Sequence, residues 1–225
     1  MAIILNLETA THNCSVALAI DGVCVALVEE SAAKFVHAEK LHIFIEQVLA
    51  KANRNVKDIQ AVAVSNGPGS YTGLRIGISA AKGLCYALNV PLIALNTNDV
   101  LAASLDENTE VDFILSVIDA RRNEVYARLY DSSKKPISEI SAVELDANSY
   151  PDLKNKKLCV VGDAANKTAE IVGFEHLLCI HQFPSAMAMC ILAEQAFLSN
   201  NFVDVAYHEP FYLKDFIAGK PKKLL

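Results

Sequence analysis

Apolar positions open the chain in three short runs, Ala2–Leu7, Ser15–Ile20 and Val23–Glu29, each too short for a helix and bounded by polar residues. Such runs predict strands. Asp21-Gly22 between the last two tolerates the positive φ angles that a tight hairpin needs. The period then changes. Leu41, Ile45, Val48 and Ala52 recur at helical spacing within Lys34–Ala52, which predicts an amphipathic helix. A buried strand, Ala61–Ser65, precedes a second helical stretch. A strand at Pro91–Leu95 and a helix at Asp99–Leu105 follow. The order β-β-β-α-β-α-β-α then begins again. Asp112–Ile118, Glu124–Tyr130 and Ser141–Leu145 read as strands, then Lys157–Val161 and Leu177–Ile180, and finally a helix over about Ser185–Leu198. Two three-strand meanders, each followed by alternating strands and helices, predict a duplicated α/β fold with a cleft between its halves. The expected lobes are 1–105 and 106–211, with 212–225 a candidate to rejoin the first. The polar stretch Asp106–Glu110 marks the crossing.

The turn that opens the second helix carries the densest information. It reads Asn66-Gly67-Pro68-Gly69-Ser70-Tyr71-Thr72-Gly73-Leu74-Arg75-Ile76-Gly77. Its glycines permit backbone angles that side chains resist, and Ser70 or Thr72 can cap the helix. A strand-to-helix turn of this kind is also where open α/β sheets place ligands. The helix beyond it is unusual. Gly73, Gly77 and Gly83 fall inside it, each costing roughly 1 kcal/mol relative to Ala. Gly73, Gly77, Ala80, Leu84 and Ala87 share one smooth face that admits close approach, either of the chain's own core or of a partner protein.

Composition narrows the function classes. The 225 residues are 52% hydrophobic with a formal net charge of −6, ample for a core and unfavourable for gripping nucleic acid along phosphates. Only the end, Lys214 through Lys220, Lys222 and Lys223, is locally basic. Six cysteines lack any Cys-x-x-Cys spacing and sit mostly in apolar runs. They read as small buried hydrophobes of a reduced, cytoplasmic protein. No apolar stretch reaches the roughly 18 residues of a membrane span.

Four runs together resemble one family. They are Leu5-Asn6-Leu7-Glu8-Thr9-Ala10-Thr11 with Cys14-Ser15-Val16-Ala17-Leu18; the glycine-proline-glycine turn; Ile118-Asp119-Ala120-Arg121-Arg122-Asn123-Glu124-Val125-Tyr126; and Glu209-Pro210-Phe211-Tyr212-Leu213. In these the chain resembles the TsaB (YeaZ) family of tRNA threonylcarbamoyladenosine biosynthesis proteins. The resemblance implies an actin-like, sugar-kinase-like fold of two related lobes. It implies a non-catalytic scaffold, with no cofactor, that supports the catalytic paralogue TsaD and the ATPase TsaE in cytoplasmic tRNA modification. The reaction is transfer of threonylcarbamoyl from its adenylate to the adenosine 3′ of the anticodon. The implied partners are TsaD, TsaE and, when alone, a second copy, with tRNA met only through the complex and no membrane. The implied partner interface is formed by Leu41, Ile45, Leu49, Gly73, Leu74, Gly77, Ala80 and Leu84. On that reading Gly77→Leu spares the stability of the isolated chain and abolishes partner binding.

The residues at the fold's phosphate positions depart from an active ATPase. Glu8-Thr9-Ala10-Thr11 stands where magnesium and phosphate are held, and Thr9 and Thr11 either donate to an anion or pin their own hairpin. Asp119-Ala120-Arg121-Arg122-Asn123 replaces a small, glycine-rich loop, although its two arginines can clamp an anion. In Gly162-Asp163, a carboxylate occupies the second position of a glycine pair. Glu8, Thr9, Thr11, Asp119 and Gly162 are therefore a residual phosphate or nucleotide site. His37 and His42 are five residues apart, roughly 140° around a helix, and do not converge on a metal. No catalytic residue is assigned and no metal is expected. The competing class is an ATP-dependent phosphotransferase or metal-dependent hydrolase (glycoprotease-like) on the same fold.

Overall fold

A computed structural model describes residues 1–31 and 36–214. Its first sheet is built from β1 (Ile3–Glu8), β2 (Asn13–Ile20), β3 (Val23–Ser31), β4 (Ala61–Gly67) and β5 (Leu92–Asn96). Its second comprises β6 (Phe113–Asp119), β7 (Glu124–Asp131), β8 (Ser141–Glu144), β9 (Leu158–Gly162) and β10 (Leu177–His181). The strand orders are β3-β2-β1-β4-β5 and β10-β9-β6-β7-β8. Read from its other edge, the second repeats the first strand for strand. Each sheet has an antiparallel meander on one side and parallel strands on the other. This is the duplicated, actin-like arrangement of the expectation.

The helices are α1 (His37–Lys51), α2 (Tyr71–Leu88), α3 (Thr97–Ala103), α4 (Ala165–Val172) and α5 (Ala186–Leu198). Helix α4 is missing from the sequence reading. It is eight residues long, and its few apolar positions are too weak a signal. Gly173, in the left-handed conformation, ends it. The expected start of the first helix, Lys34, lies outside the described residues, as do Lys220, Lys222, Lys223 and all of 215–225.

Two helices cross over between the halves. Helix α3 follows β5 of the first sheet, yet its Leu101 and Ala102, with Leu105 just beyond its end, pack with Ile114, Ile118, Cys159 and Val161 of the second. Helix α5 follows β10 of the second sheet, yet Ala186, Met189, Cys190, Ala193 and Ala196 pack on Ile4, Ala17, Ala63 and Ile93 of the first. Small side chains on both surfaces let α5 lie close to the sheet. The opposite face of the first sheet is covered by α1 and α2, through Leu41, Phe44, Ile45, Val48, Ile78 and Ala81. After α5 the chain returns along the first sheet. Val203 bridges to Leu92, and the Phe211 N–H donates to the Asn66 carbonyl at 2.8 Å.

Candidate functional site

The glycine-proline-glycine turn serves the molecule's interior. Ser70 caps α2 by accepting from the Gly73 N–H at 3.2 Å. Against the start of α2 lies the turn between β1 and β2. A side chain at Gly69 would put its Cβ 2.4 Å from the Ala10 carbonyl oxygen. The corresponding distances are 2.1 Å from Gly73 to the Thr9 carbonyl oxygen and 2.2 Å from Gly77 to Thr9 Oγ1. These three glycines, four residues apart, form a trough filled by the backbone of Thr9 and Ala10 and by the Thr9 side chain. Hydrogen bonds lock it. The Ser70 N–H donates to the Ala10 carbonyl at 2.7 Å, and the Thr9 hydroxyl donates to the Gly73 carbonyl at 2.8 Å. Gly67, at φ +114°, is also required, since a Cβ there would lie 2.6 Å from the Phe211 carbonyl oxygen. Two of the resemblance-bearing runs thus touch.

Of the two uses open to the glycine face, the chain's own core takes most of it, including residues that the resemblance implied for the partner interface. Leu41, Ile45, Leu49, Gly73, Leu74 and Gly77 all point into the chain's own core. Ala80 and Leu84 are half-buried and line a groove between α1 and α2 together with His42, Ile76, Ser79 and Gly83. The groove measures about 360 Å³. Ile43 and Tyr86 lie exposed on the same two helices, at 47% and 86%. Gly83 differs from the other two helical glycines, because a Cβ built on it meets nothing within 4 Å. A helical wheel alone does not say which face turns inward, so Ser79, Ile76 and Ile43 escaped the sequence reading.

The first phosphate position is tied up internally. Glu8 is fully buried. Its Oε1 accepts from the Ala10 N–H at 2.7 Å, while Oε2 has no hydrogen-bond partner among the described residues. Burial pushes its carboxyl up to about 7, against the lowering effect of the Ala10 N–H and the Ser65 hydroxyl. Thr11 is buried, and its hydroxyl also lacks a partner among the described residues. Its carbonyl meets His37 Nε2 at 2.8 Å, which fixes that histidine inside the fold. His42, by contrast, faces the groove.

The second phosphate position is closed in another way. The Asp119 N–H donates to Asp163 Oδ1 at 2.9 Å. The Lys167 ammonium bonds the Asp119 carboxylate and the carbonyls of Arg122 and Glu124. Burial, with a smaller contribution from the Asp119 charge, raises the Asp163 carboxyl to about 6. Gly162, at φ +139°, is demanded by packing, since its Cβ would lie 1.8 Å from the Val117 carbonyl oxygen. Arg121 and Arg122 are exposed in the left-handed conformation, at φ 73° and 49°. The residues here fit a magnesium polyphosphate poorly. The Thr9 hydroxyl and the Lys167 cation already have partners, and Asp163 adds a second carboxylate beside Asp119. Among the described residues no group of three or more His, Cys, Asp or Glu is placed to hold a metal, and no helix is long and apolar enough to cross a membrane.

Comparison with known proteins adds a sequence match and a structural one. Residues 28–218 match the family model described as TsaD: tRNA N6-adenosine threonylcarbamoyltransferase. The chain is 30% identical to the tRNA threonylcarbamoyladenosine biosynthesis protein TsaB of Escherichia coli strain K12, over 96% of each chain. It is 25% identical to the Haemophilus influenzae protein of the same name, over 96% of this chain and 95% of that one. Among solved structures it is similar to YeaZ from Pseudomonas aeruginosa. There the TM-score is 0.81 at 25% identity, covering 95% of this chain and 100% of the other.

Proposed function

The chain belongs to the TsaB family, whose role is in threonylcarbamoyladenosine modification of tRNA, and we propose that within that role it is a non-catalytic scaffold docking a TsaD-like paralogue through the outer surface of α1 and α2. The observation that carries this reading is Gly83. A glycine in a helix interior costs roughly 1 kcal/mol relative to Ala. Gly73 and Gly77 are accounted for by the close approach of Thr9. Gly83 has no such neighbour among the described residues and opens onto the apolar groove. An outward-facing strip of Ser79, Ala80 and Gly83, flanked by Ile43, Ile76 and Leu84, suits the close approach of a second helix pair.

The closed phosphate positions support the same reading from the other side. Catalysis then belongs to the partner, and the acidic balance leaves tRNA to the complex as a whole. TsaE, a second copy when the paralogue is absent, and a cytoplasmic setting follow from the family role and complete the proposal.

The test is Gly83→Leu in reconstituted threonylcarbamoyl transfer with the TsaD paralogue. The variant is expected to keep the thermal midpoint of the isolated chain while losing co-elution with the paralogue and losing transfer. Undiminished complex formation and transfer would sink the docking surface.

A further inference from the structure

The tip of the β2–β3 hairpin rests on α5. A Cβ at Gly22 would lie 3.3 Å from Glu194 Cβ and 3.4 Å from Ile191 Cδ1. This contact brings together two cysteines distant in sequence. Cys190, on α5, is buried; Cys24, on β3, is half-buried and packs against the same cluster. Both line one pocket of about 300 Å³, with Ser104, Gln182, Met187 and Ile191 among its walls. Cys190 Sγ donates to the Ala186 carbonyl at 3.4 Å and accepts from Asn6 Nδ2 at 3.7 Å. Cys24 Sγ lies 3.5 Å from the Ala26 carbonyl. The two thiols therefore open onto the same space, one from the hairpin and one from the helix.

We propose that Cys24 and Cys190 form a reactive dithiol that a small-molecule disulfide of the glutathione type oxidises to an intramolecular disulfide, tying the β2–β3 hairpin to α5. The other thiols offer no such pair. Cys14 and Cys85 are buried beneath the opposite face of the first sheet. Cys159 and Cys179 are on neighbouring strands but pack on opposite faces of the second sheet, one with α3 and one with α4. Their environments differ in the same sense. Burial pushes Cys14 up to about 12 and Cys85 and Cys159 up to about 11, whereas the proximity of Cys190 lowers Cys24 and favours its thiolate, with Cys190 raised in turn.

The chemistry balances in two exchanges. The Cys24 thiolate attacks one sulfur of the small disulfide, forming a mixed disulfide and releasing one small thiolate. Cys190 loses its proton to that thiolate or to water. Its sulfur then attacks the Cys24 sulfur, and the second small thiol leaves. The protein gives up two electrons and two protons, and the small disulfide is reduced to two thiols.

Mass spectrometry of the full chain, equilibrated with oxidised glutathione and then mapped by proteolysis without reductant, tests this directly. The expected product has lost two hydrogens and carries a Cys24–Cys190 cross-linked peptide. Its thermal midpoint should be raised, and dithiothreitol should return it. Cys24→Ser should form no cross-link, while Cys190→Ala should stop at a stable glutathione adduct on Cys24. Six free thiols after equilibration, a lasting glutathione adduct on the unmodified sequence, or a cross-link mapping to another pair would each overturn the proposal.

Discussion

At the scale of single residues, burial decides what chemistry the candidate positions retain. Glu8, expected from the resemblance to belong to a residual phosphate site, is sealed under the turn that α2 clamps. Its carboxyl is raised from 4.5 to about 7, so the folded state holds its proton more tightly than the unfolded chain. The cost of burying the charged form is absent below pH 4.5. It grows as pH rises and is complete above about 7. The shift amounts to roughly 3 kcal/mol at 1.36 kcal/mol per pKa unit. Glu8→Gln keeps an acceptor for the Ala10 N–H and removes the titration. Denaturant-derived stability of the unmodified chain should therefore fall more steeply than that of Glu8→Gln across this pH range. Parallel curves for the two proteins would show that Glu8 does not titrate there.

At the scale of the element, α2 works on two faces. Its inner glycines admit the Thr9–Ala10 turn; at Gly83 on its outer face a Cβ meets nothing among the described residues. Alanine substitutions at the two kinds of site should have opposite signs. Gly77→Ala places a methyl group 2.2 Å from Thr9 Oγ1, a contact the turn must move to relieve. It should cost about 1–3 kcal/mol, in the range of overpacked cores. Gly83→Ala meets nothing and gains helix propensity, so it should stabilise the isolated chain by roughly 1 kcal/mol. Chemical denaturation of both variants checks the pair. Equal effects would mean that the two faces of α2 are not distinguished in this way.

At the scale of the whole molecule, the halves are joined by exchange of helices, α3 onto the second sheet and α5 onto the first. The candidate phosphate residues of the two halves, Glu8 and Thr9 in one and Asp119 and Asp163 in the other, are each engaged by the chain itself. Calorimetry of the isolated protein with ATP and magnesium should therefore show no binding in the micromolar range and no turnover. A micromolar dissociation constant, with turnover lost in Glu8→Ala, would instead favour a phosphotransferase.

The sequence determined the order of the strands, the hairpin at Asp21-Gly22, the duplication and the special status of the glycine-proline-glycine turn. Each of these is written in local periodicity or backbone freedom, which neighbouring residues reveal. Helix α4 escaped because eight residues carry too little periodicity. Tertiary structure alone decided which face of α2 turns inward. It also decided that the Thr9 hydroxyl bonds a helix carbonyl, and that Cys24 and Cys190 share a pocket. Whether a small residue fits against the chain's own backbone or faces outward depends on contacts between segments far apart in sequence, and no local pattern encodes them.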